Sequence, residues 1–208
     1  MIYANIKNID LKFETESSVF SPNAVDSGTL AMLSVIDFLP GDKVLDLGCG
    51  YGVVGILAGK IAGEENVIMS DISERVIECA KINAALNGVA NINIILSDGY
   101  KNIEEKDFTL ILSNPPYHAD FSVPKSFIEL GFEKLAVGGK LVMVTKRLDW
   151  YKNKLTSVFG GVKVREVNGY YVFVAEKRSR VIKKKSKPVK KLSRKLERKK
   201  RSGANHQK

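Results

Sequence analysis

The sequence predicts an α/β fold: a doubly wound, mostly parallel sheet of seven strands with an antiparallel hairpin at one edge. Three observations carry this. From residue 43 onward, apolar runs of strand length alternate with helical patterns. A glycine-rich turn, Gly48-Cys49-Gly50-Tyr51-Gly52, joins the first of these strands to its helix. Asp46, Asp71, Asp98 and Asn114 all lie at or just after the C-terminal ends of strands, where ligands of open α/β sheets bind.

The elements follow in order. Residues 1–16 read as extended, with Ile2, Ala4 and Ile6 alternating, then Leu11 and Phe13. A loop covers Val19-Phe20-Ser21-Pro22. Ser27 is placed to cap a helix that runs to Leu39 and stops at Pro40-Gly41. Lys43–Leu47 is a strand and Val53–Ala62 a helix ending at Gly63. Asn66–Ser70 is a strand ending at Asp71. Ser73 caps a helix to Leu86, closed by Asn87-Gly88. Ile92–Leu96 and Phe108–Ser113 are strands. Lys125–Leu135 is a helix that Gly138-Gly139 turns into the strand Lys140–Thr145. Trp150–Phe159 is helical. Val162–Val167 and Tyr170–Ala175 pair through Asn168-Gly169, a hairpin turn that admits positive φ.

Composition bounds the class. A chain of 208 residues with 44% hydrophobic content supports one domain plus an appendage. No apolar run is long enough to span a membrane, and no secretory leader is evident, so a cytoplasmic setting without membrane contact is expected. Cys49 and Cys79 fit neither a disulfide framework nor a zinc spacing. The net charge of +10 hides two regions: residues 176–208 carry +14 and residues 1–175 carry −4. The expected organisation is a folded domain over residues 1–176 and a basic tail, disordered or helix-forming, over 177–208. Lys/Arg clusters of this kind bind nucleic-acid phosphates through counterion release; a solubilising tail or an acidic protein partner are the other readings.

Two cofactors compete for the glycine turn. Gly50-Tyr51-Gly52-Val53-Val54-Gly55 matches the dinucleotide fingerprint, and Asp71 lies about 20 residues on, where a ribose-binding acid belongs. The stretch also resembles the S-adenosylmethionine (SAM) cradle of class I methyltransferases. In the dinucleotide motif the first glycine comes directly off the strand. Here Asp46-Leu47-Gly48-Cys49 intervenes, and a carboxylate at Asp46 suits a methionine-type ammonium but repels a pyrophosphate. The order favours SAM; a glycine turn serving packing alone is the remaining reading. The expected cofactor residues are Asp46, Gly48, Cys49, Gly50, Gly52, Asp71 on the ribose, Ile72 against the adenine face, Asp98 near the adenine amino group, and Asn114. Asp71 also reads as a helix N-terminal carboxylate, and Asp98 as an ordinary Asp-Gly turn.

Ser113-Asn114-Pro115-Pro116-Tyr117-His118 is the most specific stretch. Consecutive prolines fix the backbone after a strand and remove two N–H donors. Asn114, Pro115, Pro116 and Tyr117 are therefore the catalytic candidates. A planar amino group can donate one hydrogen to the Asn114 side-chain oxygen and one to the Pro115 carbonyl, while Tyr117 stacks on its ring. Catalysis would then be positioning and electrostatics. No nucleophilic Ser or Cys arrangement and no metal cluster is read. Candidate substrate contacts are Tyr117, His118, Phe20 and Lys146; His118 also reads as structural and Phe20 as a loop aromatic tucked into the core, and Lys146 and Arg147 follow a strand on the ligand side, where they meet phosphate or begin a solvated helix.

Asp46–Gly52 with Asn114–Tyr117 resembles the class I SAM-dependent N-methyltransferases, with a Rossmann-like fold. His118, Val19-Phe20-Ser21 and Asp26-Ser27-Gly28-Thr29 make the chain most similar to the RsmC-like family over roughly residues 10–175. The resemblance implies methyl transfer from SAM to guanine N2 in small-subunit ribosomal RNA, with rRNA or the small subunit as partner; a monomer is expected. The Asn-Pro-Pro-Tyr motif is shared by protein glutamine methyltransferases and adenine-N6 methyltransferases acting on DNA or tRNA, so these stay open, as does a non-catalytic RNA-binding assembly factor. Long family members carry a second, degenerate methyltransferase-like domain ahead of the catalytic one. Here about 25 residues precede the first long helix, so a single catalytic domain is expected.

Overall fold

The computed structural model describes residues 1–15, 24–115 and 120–179. Phe20, Pro116, Tyr117, His118 and the basic tail from Arg180 onward lie outside the described residues.

The chain opens with a hairpin, β1 (Ile2–Ile6) and β2 (Ile9–Phe13), forming a small antiparallel sheet of its own. The sequence reads this region only as extended. The turn is Lys7-Asn8, both at positive φ (54° and 62°), the geometry that matches the twist of paired strands. Neither residue is glycine, so the turn carries weak local signal. Ile2, Ile6, Leu11 and Phe13 form the buried face.

Helix α1 is Ser27–Val35. Its cap is Asp26, not Ser27: the Asp26 carboxylate accepts from the Thr29 N–H at 2.9 Å. It also ends four residues before the expected Leu39. Ile36 and Phe38 are buried while Asp37 and Leu39 are exposed, an alternation of two that belongs to extended chain.

The main sheet contains β3 (Val44–Leu47), β4 (Val67–Asp71), β5 (Asn93–Leu96), β6 (Phe108–Ser113), β7 (Leu135–Thr145), β8 (Lys163–Val167) and β9 (Tyr170–Glu176), in the spatial order β5-β4-β3-β6-β7-β9-β8. Strands β3 to β7 are parallel, while β9 runs antiparallel to both β7 and β8. The chain leaves β3 toward β4 on one side and later returns to β6 on the other. The topological switch therefore falls between β3 and β6, where a crevice opens at the strand C-termini.

Helices α2 (Val53–Ala62) and α3 (Glu74–Leu86) join α1 on one face; α4 (Ser122–Lys134) and α5 (Asp149–Phe159) cover the other. Strands buried on both faces read as continuous apolar runs, which is why β3, β6 and the body of β7 are unambiguous in the sequence. Helix α4 starts earlier than expected because Pro124 sits in its first turn, where a missing N–H costs no helical bond. Ser73 occupies the cap position of α3 but its side chain makes no capping bond.

Gly138-Gly139 does not separate a helix from a strand. Strand β7 begins at Leu135, directly after α4, and the glycines form an irregularity within it, shifting register against β6 between Phe108 and Leu110. A Cβ on Gly139 would stand 2.6 Å from the Phe108 carbonyl oxygen, so the close strand approach there requires glycine. Lys177, counted from sequence as the start of the tail, is buried. Its ammonium donates to the Leu135 carbonyl at 2.6 Å, near the α4 C-terminus where cations are favoured.

The hairpin is fastened by two asparagines one turn apart, Asn83 in α3 and Asn87 at its C-cap. Asn87 exchanges a pair of hydrogen bonds with the Lys12 backbone (3.1 and 2.7 Å), and Asn83 does the same with Glu14 (2.7 and 2.9 Å). Each side-chain amide thus pairs with the exposed edge of β2 as a peptide group would. Asn83 is fully buried and also donates to the Tyr51 carbonyl at 2.9 Å, inside the glycine turn. Replacing Asn83 with Ala strands backbone groups of Glu14 and Tyr51. The Asn83→Ala variant should lose about 2–4 kcal/mol of stability in urea denaturation, with the Glu14 amide exchanging faster with solvent.

Candidate active site

One cavity of about 420 Å³ lies at the C-terminal edge of β3, β4 and β6. It collects Asp46, Gly48, Cys49, Gly50, Asp71, Ile72, Asp98, Asn114 and Pro115 from separate parts of the chain. Gly52 does not line it. Instead Gly52 stands at the N-cap of α2 with φ 103° and donates to the Cys49 carbonyl at 3.0 Å, closing the turn. Lys146 is outside the cavity, its ammonium 4.9 Å from the centroid of the Tyr170 ring.

Asp46 is the floor. It is 3% exposed, and one carboxylate oxygen accepts from the Gly55 N–H at 2.8 Å, in the first turn of α2. Burial pushes its carboxyl up to about 7; the Gly55 bond opposes this and the nearby Asp71 charge adds to it. Gly55 must be glycine, because a Cβ there would lie 2.3 Å from Met69 Cγ.

Asp71 ties the turn to the next helix. One oxygen accepts from Gly50 N–H at 3.1 Å and the other from Ser73 N–H at 3.1 Å. A carboxylate offers about four lone-pair sites, so ribose hydroxyls can still donate to it. Ile72 is 69% exposed and presents an apolar surface at the cavity wall. Asp98 is exposed at the rim. Cys49 is buried, its thiol pushed well up by burial first and by the Asp46 and Asp71 charges next, so it is no nucleophile.

At the opposite wall, the Asn114 amide donates to Asp26 at 2.7 Å and to the Thr29 hydroxyl at 3.1 Å. An ionised carboxylate only accepts, so Asp26 fixes which end of the Asn114 amide faces α1. The same Asp26 oxygen caps α1. Asp26 and Thr29 also line the cavity, and neither was assigned a role in the site from sequence. The Asp26-x-x-Thr29 cap pattern was the available signal.

The electrostatics discriminate between the two cofactors. Among the described residues, the lining includes Asp26, Asp46, Asp71 and Asp98 and no Lys, Arg or His. A pyrophosphate would enter a field of carboxylates. A ligand with a cationic ammonium and sulfonium, a ribose and an adenine fits the donor set. Ser70, with a buried hydroxyl that has no partner among the described residues, lines the same space.

A doubly wound sheet with an acidic cradle after β3 and an Asn-Pro step after β6 defines a class I SAM-dependent methyltransferase. Comparison with known proteins agrees. The methyltransferase small domain family matches residues 10–174, and the chain belongs to it. The ribosomal RNA small subunit methyltransferase C of Serratia proteamaculans is 33% identical over 166 residues, 78% of this chain and 47% of that protein. The uncharacterized Bacillus subtilis protein YbxB is 32% identical over 178 residues, 83% of this chain and 89% of that one. Among solved structures, the Thermus thermophilus 16S rRNA N2 G1207 methyltransferase (RsmC), in complex with AdoMet and guanosine, superposes with a TM-score of 0.77 at 26% identity. It is matched over 85% of this chain and 50% of its own. The chain thus spans about half the length of the small-subunit methyltransferases it matches.

The Asp46 carboxyl has a stability consequence with a definite sign. Its folded value of about 7 lies above the ordinary 3.8, so the folded state holds the proton more tightly. This contribution is present below about pH 4 and is lost as pH rises through 7. Asp46→Asn should therefore be more stable than the ligand-free parent, by a margin that grows from pH 4 to 7 and then stays level. Thermal midpoints across that range measure it.

Proposed function

We propose that this chain transfers the methyl group of SAM to the exocyclic N2 of a guanine in small-subunit ribosomal RNA. The observation that carries the reading is Asn114: its amide hydrogens are held by Asp26 and Thr29 at a wall of the same cavity that contains Asp46, Asp71 and Asp98. The AdoMet and guanosine named with the similar Thermus structure, and the rRNA named with the curated relatives, support the choice of donor, base and RNA.

When bound, SAM supplies an electrophilic methyl on a sulfonium sulfur. Asp46, held by Gly55, is placed for the ammonium; a cation there draws the carboxyl back to its ionised form. Asp71 takes the ribose hydroxyls, Ile72 the adenine face and Asp98 the adenine amino group. Guanine N2 is a poor nucleophile because its lone pair is delocalised into the ring. The Asn114 side-chain oxygen and the Pro115 carbonyl accept its two hydrogens, which aims the lone pair out of the ring plane. With SAM bound, the methyl would pass from sulfur to N2, the S–C bond breaking as the N–C bond forms, and N2 would release one proton to solvent. No strong base is needed, since that proton is acidic once the methyl has arrived. Pro116, Tyr117, His118 and Phe20 lie outside the described residues, and their assignment to the base rests on the sequence motif alone. The base leaves its stack to reach the cavity.

The test is transfer of tritiated methyl to purified small ribosomal subunits and to free rRNA, followed by nucleoside analysis. N2-methylguanosine is the expected product; N6-methyladenosine or methylglutamine would overturn the assignment. Asn114→Ala should keep SAM affinity within about threefold by calorimetry and lower kcat by about 100-fold or more. Asp26→Ala should lower it less, because the amide is still present but no longer oriented.

The tail is assigned to generic rRNA affinity. Removing residues 180–208 spares the buried Lys177. It should raise the KM for RNA and flatten the salt dependence of binding; unchanged values would exclude anchoring.

A further inference from the structure

We propose that Arg147, Phe121 and Trp150 form a docking platform for the single-stranded RNA that flanks the target base, an inference that rests on the RNA reading above. The three residues come from three places. Phe121 stands at the N-cap of α4, Trp150 is the second residue of α5, and Arg147 lies in the loop after β7. The rings of Phe121 and Trp150 stack with centroids 4.5 Å apart and planes 29° off parallel. The Arg147 guanidinium carbon lies 5.0 Å from the Phe121 centroid. Lys146, one residue earlier, stands over Tyr170.

Position ties this cluster to the cavity. Val123 and Phe127, on the same helix start as Phe121, line it. Strand β7 is the parallel neighbour of β6, whose end carries Asn114, so Lys146 and Arg147 emerge beside the catalytic step. The platform therefore flanks the mouth on the β7 side.

Charge identifies the occupant. Among the described residues the lining carries four carboxylates, Asp26, Asp46, Asp71 and Asp98, and no basic side chain, which disfavours a phosphate backbone inside it. The backbone must be held outside, by cations. Lys146 and Arg147 are exposed and make no salt bridge among the described residues. Phe121 is 37% exposed, unlike a ring that serves packing alone. Cations on aromatic faces offer phosphate contact and a stacking surface in one place, the combination that grips single-stranded nucleic acid.

Trp150 is the single tryptophan of the chain, so its fluorescence reports on this surface alone. The full-length protein, saturated with S-adenosylhomocysteine, is titrated with a short single-stranded oligoribonucleotide of small-subunit rRNA sequence, at salt high enough to suppress polycation binding. A saturable quench is expected. Arg147→Gln and Phe121→Leu should each weaken RNA binding and raise the KM for RNA about tenfold, with kcat within about twofold and thermal midpoints unchanged for Arg147→Gln. Absence of a quench, or an unchanged KM in Arg147→Gln, overturns the platform. Methyl transfer on the same preparations separates the two ideas. Normal guanine methylation with an unchanged KM in the variants removes the platform alone. RNA binding with a quench, but no methyl transfer by the parent, removes the guanine reading and leaves the platform standing.

Discussion

The fold is arranged around a carboxylate that has no business in a core. Asp46 ends up 3% exposed, with a backbone N–H for company and another acid, Asp71, nearby. Its carboxyl is pushed to about 7, which records the cost of placing it there. Strand β3 is buried on both faces and cannot turn the side chain to water. Helix α2 has to bring its first turn down onto the acid, which is why Gly55 carries no side chain against Met69. Under the proposed function, the ammonium of the bound donor would offset that cost.

Around that floor, the cavity walls are held by side chains that bridge distant segments. Asn83 joins the N-terminal hairpin, α3 and the glycine turn through one amide. Asp26 joins the start of α1 to the end of β6 and uses a single oxygen for both. In each case a polar group buried or half-buried in the structure satisfies two elements at once, so loosening either element loosens the site. The helix caps and sheet edges, ordinarily only structural, here set the orientation of the cofactor turn and of Asn114.

The charge is separated in space as well as in sequence. Four carboxylates line the hollow, while Lys146 and Arg147 are exposed just past the C-terminal end of β7; in the sequence, further Lys and Arg clusters follow after position 176. Under the proposed function, the acidic cavity would take the cationic donor, and Lys146 and Arg147 the RNA.

The sequence by itself determined the periodic elements and the chemistry at strand ends. Strands β3, β6 and β9, helix α2, and the grouping of Asp46, Asp71, Asp98 and Asn114 follow from apolar runs, glycine placement and polar residues at their C-termini, because these signals are local. What local signal could not decide was fixed by contacts between remote segments. The cap moved from Ser27 to Asp26 because Asp26 alone reaches both Thr29 and Asn114. Gly138-Gly139 became an irregularity inside β7 because the Phe108 carbonyl lies against Gly139. Lys177 left the tail for the core because the Glu133 and Leu135 carbonyls at the end of α4 accept from its ammonium. In the same way, the aromatic stack of Phe121 and Trp150 exists only once α4 and α5 are packed side by side. Periodicity specifies which residues form an element. Which side chains meet across elements depends on packing, and only the tertiary structure contains that.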